Sequence, residues 1–483
     1  MIMEENKQIV AAIDVGTTKV VAVIGRKNDE GKIEVMGFAS VKSEGMMRGT
    51  VSNVISVTKS IGEAVEAAQK QSGLRITEAH VGIAGQHINC IQQMGYHIRE
   101  GKDFSTPFTA DDVKKITRSM LNMSLNPGEQ IIQIIPQSYS VDNEITENPI
   151  GMQGSRLEVN YHIVTGRQSY INMLKQCVEE NGIKVLSITL EPIVSACSVL
   201  SADEMELGVA LVDIGGGTTD LAIFHGGKIC YTSSIPFAGN TITTDIQKGC
   251  GILPRTAEEI KIKCGAAVLT DPKDKQTCIT IQGLPGRRAS EITLDTLSQI
   301  IGSRVGEIFD EVKRQIVNSG YANKLPGGIV LTGGGSQLKN LKTFVSFKFG
   351  IDVVLGVPKI PVTSAMGDEY AQKIQSPENA TAIGLLLRGF NAFDKLSELE
   401  YNIGESLVYN EAEEKLVSDK AEEVNEVKAE TTAKAEKKDK KGLISWQNFG
   451  SKFKKTAENL VNAVFTDPDE VPSQTPNDKE TNN

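Results

Sequence analysis

The chain has 483 residues, 40% hydrophobic and 23% charged, ordinary proportions for globular material and room for about two to four compact modules. Its formal charge of -10 disfavours a general affinity for nucleic acid, so no nucleic-acid partner is expected. Seven cysteines (Cys90, Cys177, Cys197, Cys230, Cys250, Cys264, Cys278) without a CxxC pair argue against a disulfide framework and fit a reducing cytoplasm, and the five histidines show no metal-ligand spacing.

At the amino terminus, MIMEENKQIV has neither the basic flank and apolar stretch nor the cleavage site of a secretory signal. No uninterrupted apolar run approaches the ~20 residues that cross a bilayer, so the chain is not expected to span a membrane. Alternating strand-like and helix-like segments from about Gln8 to Tyr401 are the pattern of α/β construction. The first motif is IVAAIDVGTTKVVAVIGR at 9–26, two β-branched strands joined by a Gly/Thr turn. In that turn backbone N–H groups gather, Gly16 admits an oxygen close to the chain, Thr17 and Thr18 add hydroxyls and Lys19 adds a compact positive charge. These are the ingredients of a phosphate cradle. Asp14 is acidic where a phosphate would sit, so its useful role is to hold Mg2+ through water.

A helix is expected over 52–71 with Ser52 as its cap. Residues 86–162 mix a helix at 109–124 with extended segments punctuated by Pro107, Pro127, Pro136 and Pro149, and read as an inserted subdomain. Another helix is expected at 168–181. GVALVDIGGGTTDLAIFHGG at 208–227 then repeats the first hairpin: Asp213 takes the part of Asp14, and Gly215, Gly216, Gly217, Thr218 and Thr219 that of the first turn. Such a repeat predicts two similar lobes, each lending a hairpin to one cleft, with the two loops clasping a single polyphosphate. Either hairpin alone reads more readily as an ordinary turn; the pair carries the reading. Glu258 and Lys261, three apart on one helix face, either reach a ribose together or form a surface ion pair. After a helix expected at 293–319 and the strand GGIVLT, the run Gly333, Gly334, Gly335 and Ser336 either places a helix start beside the nucleotide or forms a βα turn without a ligand.

Past Tyr401 the composition shifts. Residues 411–441 are charged and nearly free of aromatics, as a solvated linker is. In GLISWQNFGSKFKKTAENLVNAVFTD, Leu443, Trp446, Phe449, Phe453, Ala457, Leu460, Val461 and Val464 recur at three- and four-residue steps as one apolar stripe, accompanied by Lys452, Lys454 and Lys455. Trp446 is the only tryptophan, and indole favours the headgroup region. A tethered helix of this kind is expected to lie in an anionic membrane surface, the alternative being a helix that docks on the protein's own body or on a partner.

Taken in order, the two Asp-x-Gly-x-Thr hairpins, the Glu191-Pro192 step, the strand followed by three glycines and ATAIGLLL at 380–387 resemble the motif set of the actin-like ATPase superfamily. Residues 131–166 resemble the 1C subdomain of the FtsA family of bacterial cell-division proteins, a likeness carried by Pro136, Tyr139, Asp142, Pro149, Gly151, Met152, Gly154, Arg156, Leu157 and Glu158. The resemblance implies an actin-like (ribonuclease H-like) duplicated α/β fold. Subdomain 1A would cover 1–85, 163–196 and 374–401; 1C, 86–162; 2A, 197–243 and 300–373; and 2B, 244–299. A flexible linker at 402–441, a membrane-targeting helix at 442–466 and a disordered tail at 467–483 would follow. It also implies ATP and Mg2+ as cofactors, with Asp14 and Asp213 managing the metal, Glu191 near the water that faces the γ-phosphate, and weak ATP hydrolysis at most. The implied partners are further copies of the chain in a filament, anionic lipid, the FtsZ C-terminal peptide at 2B and other division proteins at 1C. The implied location is peripheral, on the cytoplasmic face of the membrane at the division site. The rivals in the superfamily are a PilM-like pilus-assembly protein, whose kind ends without such a linker and helix, and a sugar kinase or DnaK-type chaperone. The last two need a substrate base or a β-rich peptide domain, neither of which is readable here.

Overall fold

The first lobe begins with a meander of β1 (Ile9–Val15), β2 (Lys19–Lys27) and β3 (Ile33–Lys42), in which all but the end residues of β1 and β2 are buried. Such strands must be covered on both faces. Ala11, Ile13, Val20 and Ala22 pack under α1 (Val54–Ser72), while Val10, Ala12, Val21 and Val23 pack against α9 (Ala380–Gly389) from the chain's far end. Two parallel strands, β4 (Glu78–Ile83) and β9 (Lys184–Leu190), extend the sheet to the order β9-β4-β1-β2-β3, and Thr363–Ser364 pairs beyond β3. The computed structural model describes residues 9–28, 32–99, 104–281, 289–359 and 363–390. The linker, amphipathic-helix and tail expectations at 402–483 lie outside them.

Between β4 and α3 (Gln168–Glu179) stands a separate four-stranded sheet of order β5-β8-β6-β7, made from β5 (Asn89–Ile98), β6 (Glu129–Val141), β7 (Glu144–Thr146) and β8 (Arg156–Arg167). It carries α2 (Ala110–Leu121), begun by a reciprocal Thr109–Asp112 capping box. Gly95 lets that helix down onto the sheet: a Cβ there would lie 2.6 Å from Ile116 Cγ2.

The second lobe repeats the first. A meander of β10 (Val209–Ile214), β11 (Thr219–His225) and β12 (Lys228–Ile235) is extended by parallel β13 (Ile329–Thr332) and β14 (Val353–Leu355) into the order β12-β11-β10-β13-β14. Strand for strand this is the order and direction of β3-β2-β1-β4-β9, so the duplication read from two hairpins extends to both sheets. Helices α5 (Gly239–Cys250), α6 (Pro254–Cys264), α7 (Leu294–Asn318) and α8 (Leu341–Phe349) belong to this lobe. The inserted sheet touches it through Thr232 on β12, which lies 2.5 Å from Cys90 Sγ and 3.2 Å from His162 Nε2.

Two helices join the lobes, α4 (Glu191–Val199) and α9, and they cross at backbone contact: a Cβ on Gly384 would lie 1.9 Å from the Val194 carbonyl oxygen. The helices expected at 52–71, 109–124, 168–181 and 293–319 are α1, α2, α3 and α7. One local expectation fails. Ser52 does not cap α1; its hydroxyl donates to the Gly45 carbonyl at 2.7 Å, and Asn53 is the cap, its side chain accepting from the Ser56 N–H at 3.1 Å.

Candidate functional site

The β1–β2 and β10–β11 tips are built alike and meet between the lobes. The Gly16 N–H donates to the Lys19 carbonyl at 3.0 Å, and the Gly215 N–H to the Thr218 carbonyl at 2.9 Å. A Cβ on Gly216 would lie 1.7 Å from Thr18 Oγ1, and one on Gly217 2.4 Å from Thr17 Oγ1, so only glycine allows the second tip to face the first this closely.

Behind the tips the two repeat aspartates enter one crevice. Burial pushes the Asp14 carboxyl up to about 6, with Lys19 opposing and Asp213 adding to the rise. Asp213 is raised too, chiefly by burial, although Ser195 donates to its Oδ2 at 2.8 Å and Thr381 at 3.4 Å. Glu191, the first residue of α4, is lifted well above the carboxylate range by burial and then by the fields of Asp14, Asp220 and Asp213. Lys19 is the cation of the group. Burial lowers its pKa, and its Nζ donates to Asn379 Oδ1 at 2.7 Å and lies 3.5 Å from Glu378.

Asp220 is the member that sequence reasoning passed over. It stands opposite Asp213 in the β10–β11 register and accepts from the Thr218 hydroxyl at 2.9 Å, while its Oδ1 is buried without a hydrogen-bond partner. Burial drives its carboxyl up to about 7; Asp213 adds to this, and the Thr218 hydroxyl resists it. The signal was available: in TDLAIFH an aspartate precedes four apolar residues and faces another aspartate across a four-residue turn. The equivalent position of the first hairpin is Val21, facing Asp14, and the repeat therefore hid it.

The remaining expected residues divide. Lys261 pairs with Glu258 at 2.8 Å and also donates to the Gly239 carbonyl at 3.0 Å and to Thr243 Oγ1 at 2.9 Å. The Gly239 and Asn240 N–H groups in turn donate to the carbonyls of Gly215 and Gly216 at 3.1 and 2.8 Å. The Glu258–Lys261 ion pair is therefore clamped to the rim of the second hairpin rather than lying free on the surface. Gly333, at φ +82, abuts Asp213: a Cβ there would lie 2.3 Å from Asp213 Oδ1. Gly334 has the open position beside Glu378, whereas Gly335 packs on Ile214 and the Ser336 hydroxyl turns back to the Gly333 carbonyl at 2.7 Å. The glycine run does not begin an α-helix. It forms one 3-10 turn, Gly334–Gln337, and α8 waits until Leu341 because Asn340 is left-handed at φ 60. The Thr219 hydroxyl donates to the Phe237 carbonyl at 2.8 Å, so that side chain holds the fold and does not face the cleft. The membrane residues Leu443, Trp446, Phe449, Lys452, Phe453, Lys455, Leu460 and Val464 lie outside the described residues.

The donor set fits a nucleotide with a hydrated divalent cation. Four clustered carboxyls beside one lysine are all raised by burial, so a cation among them would favour their charged forms; Asp220 has a buried oxygen without a hydrogen bond, and the glycine tips leave space that any side chain would fill. Among the described residues no three acidic, imidazole or thiolate groups are arranged to hold a metal directly, and no helix is long and apolar enough to cross a membrane.

Comparison with known proteins agrees with this architecture. A family model described as cell division protein FtsA matches residues 210–384, and one described as the SHS2 domain inserted in FtsA matches 85–165, the segment of the separate sheet. A model for the type IV pilus assembly protein PilM matches 133–267. The chain is 34% identical over 387 residues to the cell division protein FtsA of Neisseria meningitidis serogroup B, covering 80% of this chain and 91% of that one. It is 35% identical to that of Pseudomonas aeruginosa, covering 80% and 90%. Among solved structures, a PilM-PilN type IV pilus biogenesis complex shares the fold at a TM-score of 0.56 and 16% identity, covering 79% of this chain and 98% of that one.

Proposed function

The chain belongs to the FtsA family of cell division proteins, and from that premise we propose that it binds ATP with Mg2+ between its two hairpins, polymerises on the inner face of the cell membrane, ties the FtsZ ring to it and receives later division proteins. The observation that supports this most directly is the convergence of Asp14, Asp213, Asp220 and Glu191 with Lys19 at two glycine tips of matching geometry. In this reading the tip N–H groups and Lys19 bind the phosphates, Asp14 and Asp213 hold the water shell of the metal, and Glu258 with Lys261 meets the ribose at the rim. Bound Mg2+ supplies the charge that lets polyphosphate and carboxylates share one crevice. Burial and then the fields of Asp14, Asp220 and Asp213 raise the Glu191 carboxyl, which disfavours the ionised form that would take a proton from water, so weak hydrolysis at most belongs to this reading. The FtsZ peptide is assigned to the 244–299 region, partners and the next subunit to the inserted sheet, and the membrane contact to 442–466.

The deciding experiment is an equilibrium titration with a fluorescent ATP analogue and Mg2+. Wild type should bind saturably and Asp213→Ala should lose at least about tenfold in affinity. Equal affinity for the two proteins would remove the cleft from the account.

A further inference from the structure

Asp213 is held by two hydroxyls, one from each of the helices that join the lobes. Ser195 is fully buried on α4, and its hydroxyl donates to Asp213 Oδ2 at 2.8 Å. Thr381, in the first turn of α9, lies 2.9 Å from Ser195 Oγ and 3.4 Å from the same carboxylate oxygen. The two helices are fastened to each other at this level by Ser198, whose hydroxyl lies 2.8 Å from the Ala380 carbonyl and 2.9 Å from that of Ser195. On the other side of the carboxylate Oδ1 faces Gly333, where no side chain fits. Asp213 itself belongs to the second-lobe sheet, and both hydroxyls come from the crossing helices that join the lobes. A buried serine has a single hydrogen to donate, and this one donates it to an anion, a charge-assisted bond of the strong kind.

We infer that Ser195 and Thr381 are positioning residues for the metal side of the nucleotide site: a hydroxyl relay at the helix crossing that fixes Oδ2 of Asp213 and leaves Oδ1 to meet the hydrated cation. The inference rests on the nucleotide reading above and deepens it. Outer-shell partners of this sort typically change metal affinity by about 10- to 100-fold when removed, and a relay acting only on Asp213 leaves the phosphate and adenosine contacts of Lys19, the hairpin N–H groups and Lys261 intact. The metal-dependent part of nucleotide affinity should therefore be lost selectively.

The test uses the full chain as wild type, Ser195→Ala, Thr381→Val and Thr381→Ser. Mn2+ binding in the presence of ATP is read by electron paramagnetic resonance, and ATP binding is titrated in Mg2+ and in EDTA. Thr381→Val and Ser195→Ala should weaken Mn2+ binding by about tenfold or more, with at most about a twofold change in EDTA, and Thr381→Ser, which keeps the hydroxyl, should behave as wild type. Undiminished Mn2+ affinity in Thr381→Val overturns the inference, and so does an equal loss of affinity in EDTA, which would mean the hydroxyls only hold the fold. Should Ser195→Ala not fold, the Thr381→Val and Thr381→Ser pair decides alone, since Thr381→Val replaces the hydroxyl by a methyl whereas Thr381→Ser keeps the hydroxyl and removes only the methyl. Absence of any metal-dependent ATP binding in wild type overturns the nucleotide reading itself and the relay with it, a result distinguishable from failure of the relay alone.

Discussion

A carboxyl buried without a compensating charge makes the protein less stable, and Asp220 lets that cost be measured. Its carboxyl titrates at about 7 in the fold against an ordinary 3.8, so the folded chain keeps a proton that the unfolded chain releases. The sign follows: the fold loses stability as pH rises from about 4 through about 7, and below that window the group contributes nothing. Asp220→Asn should therefore stabilise the nucleotide-free protein by roughly 2–4 kcal/mol at about pH 8 and by little at about pH 4. Thermal melts at the two pH values check this, and an advantage independent of pH would show that the gain comes from some other source. The residue also marks the limit of reading by analogy. Asp14, Lys19 and Asp213 stand out in the sequence because a phosphate turn would call for them, whereas Asp220 becomes conspicuous only when the strand register is laid out across the turn.

Among the elements, the helix crossing carries the sharpest packing constraint. A glycine inside a helix ordinarily costs ~1 kcal/mol relative to alanine, so Gly→Ala in open space stabilises. At Gly384 the new methyl would meet the Val194 backbone at 1.9 Å, and backbone cannot turn aside as a side chain can. Gly384→Ala is expected to destabilise by roughly 2–4 kcal/mol and to force α4 and α9 apart. Gly306 on α7 is the contrasting case: its nearest neighbour, Phe344 Cζ, lies at 3.9 Å, and Gly306→Ala should be neutral or stabilise by up to ~1 kcal/mol. Urea melts of the two variants test the contrast, and a stable Gly384→Ala protein would contradict this crossing. The helices themselves were legible because their apolar spacing is long and regular. Their ends were less so, since Ser52 and Asn53 are both good caps and only the path of the chain through Gly45 chooses between them. The glycine run at 333–335 stayed ambiguous for a related reason: asparagine tolerates the left-handed conformation by which Asn340 delays α8, but its presence in the sequence does not require it.

At the scale of the whole molecule the two lobes were visible from two hairpins, because an antiparallel hairpin pairs with its own sequence neighbour. The parallel strands β4, β9, β13 and β14 find partners only through the tertiary fold, so their order was not readable in advance. In the proposed reading the cleft and the carboxy-terminal sequence would bear on each other through avidity. Partial burial of about six large apolar side chains of the 442–466 segment at ~1 kcal/mol each, with up to ~1 kcal/mol per lysine near anionic lipid, would leave a single copy weakly bound once the cost of ordering a helix is subtracted. A filament carrying many copies would make each further contact intramolecular, so whatever promotes polymerisation would strengthen membrane binding without a new lipid contact. In the proposed reading ATP in the cleft is what promotes it. Co-sedimentation with anionic vesicles should then show binding by wild type that ATP increases. Asp213→Ala should keep a weak basal level that ATP does not change, and a chain lacking 442–466 should stay in the supernatant with or without ATP. Pelleting of the truncated chain with lipid would remove the anchor, and an ATP response in Asp213→Ala equal to that of wild type would sever the membrane from the cleft.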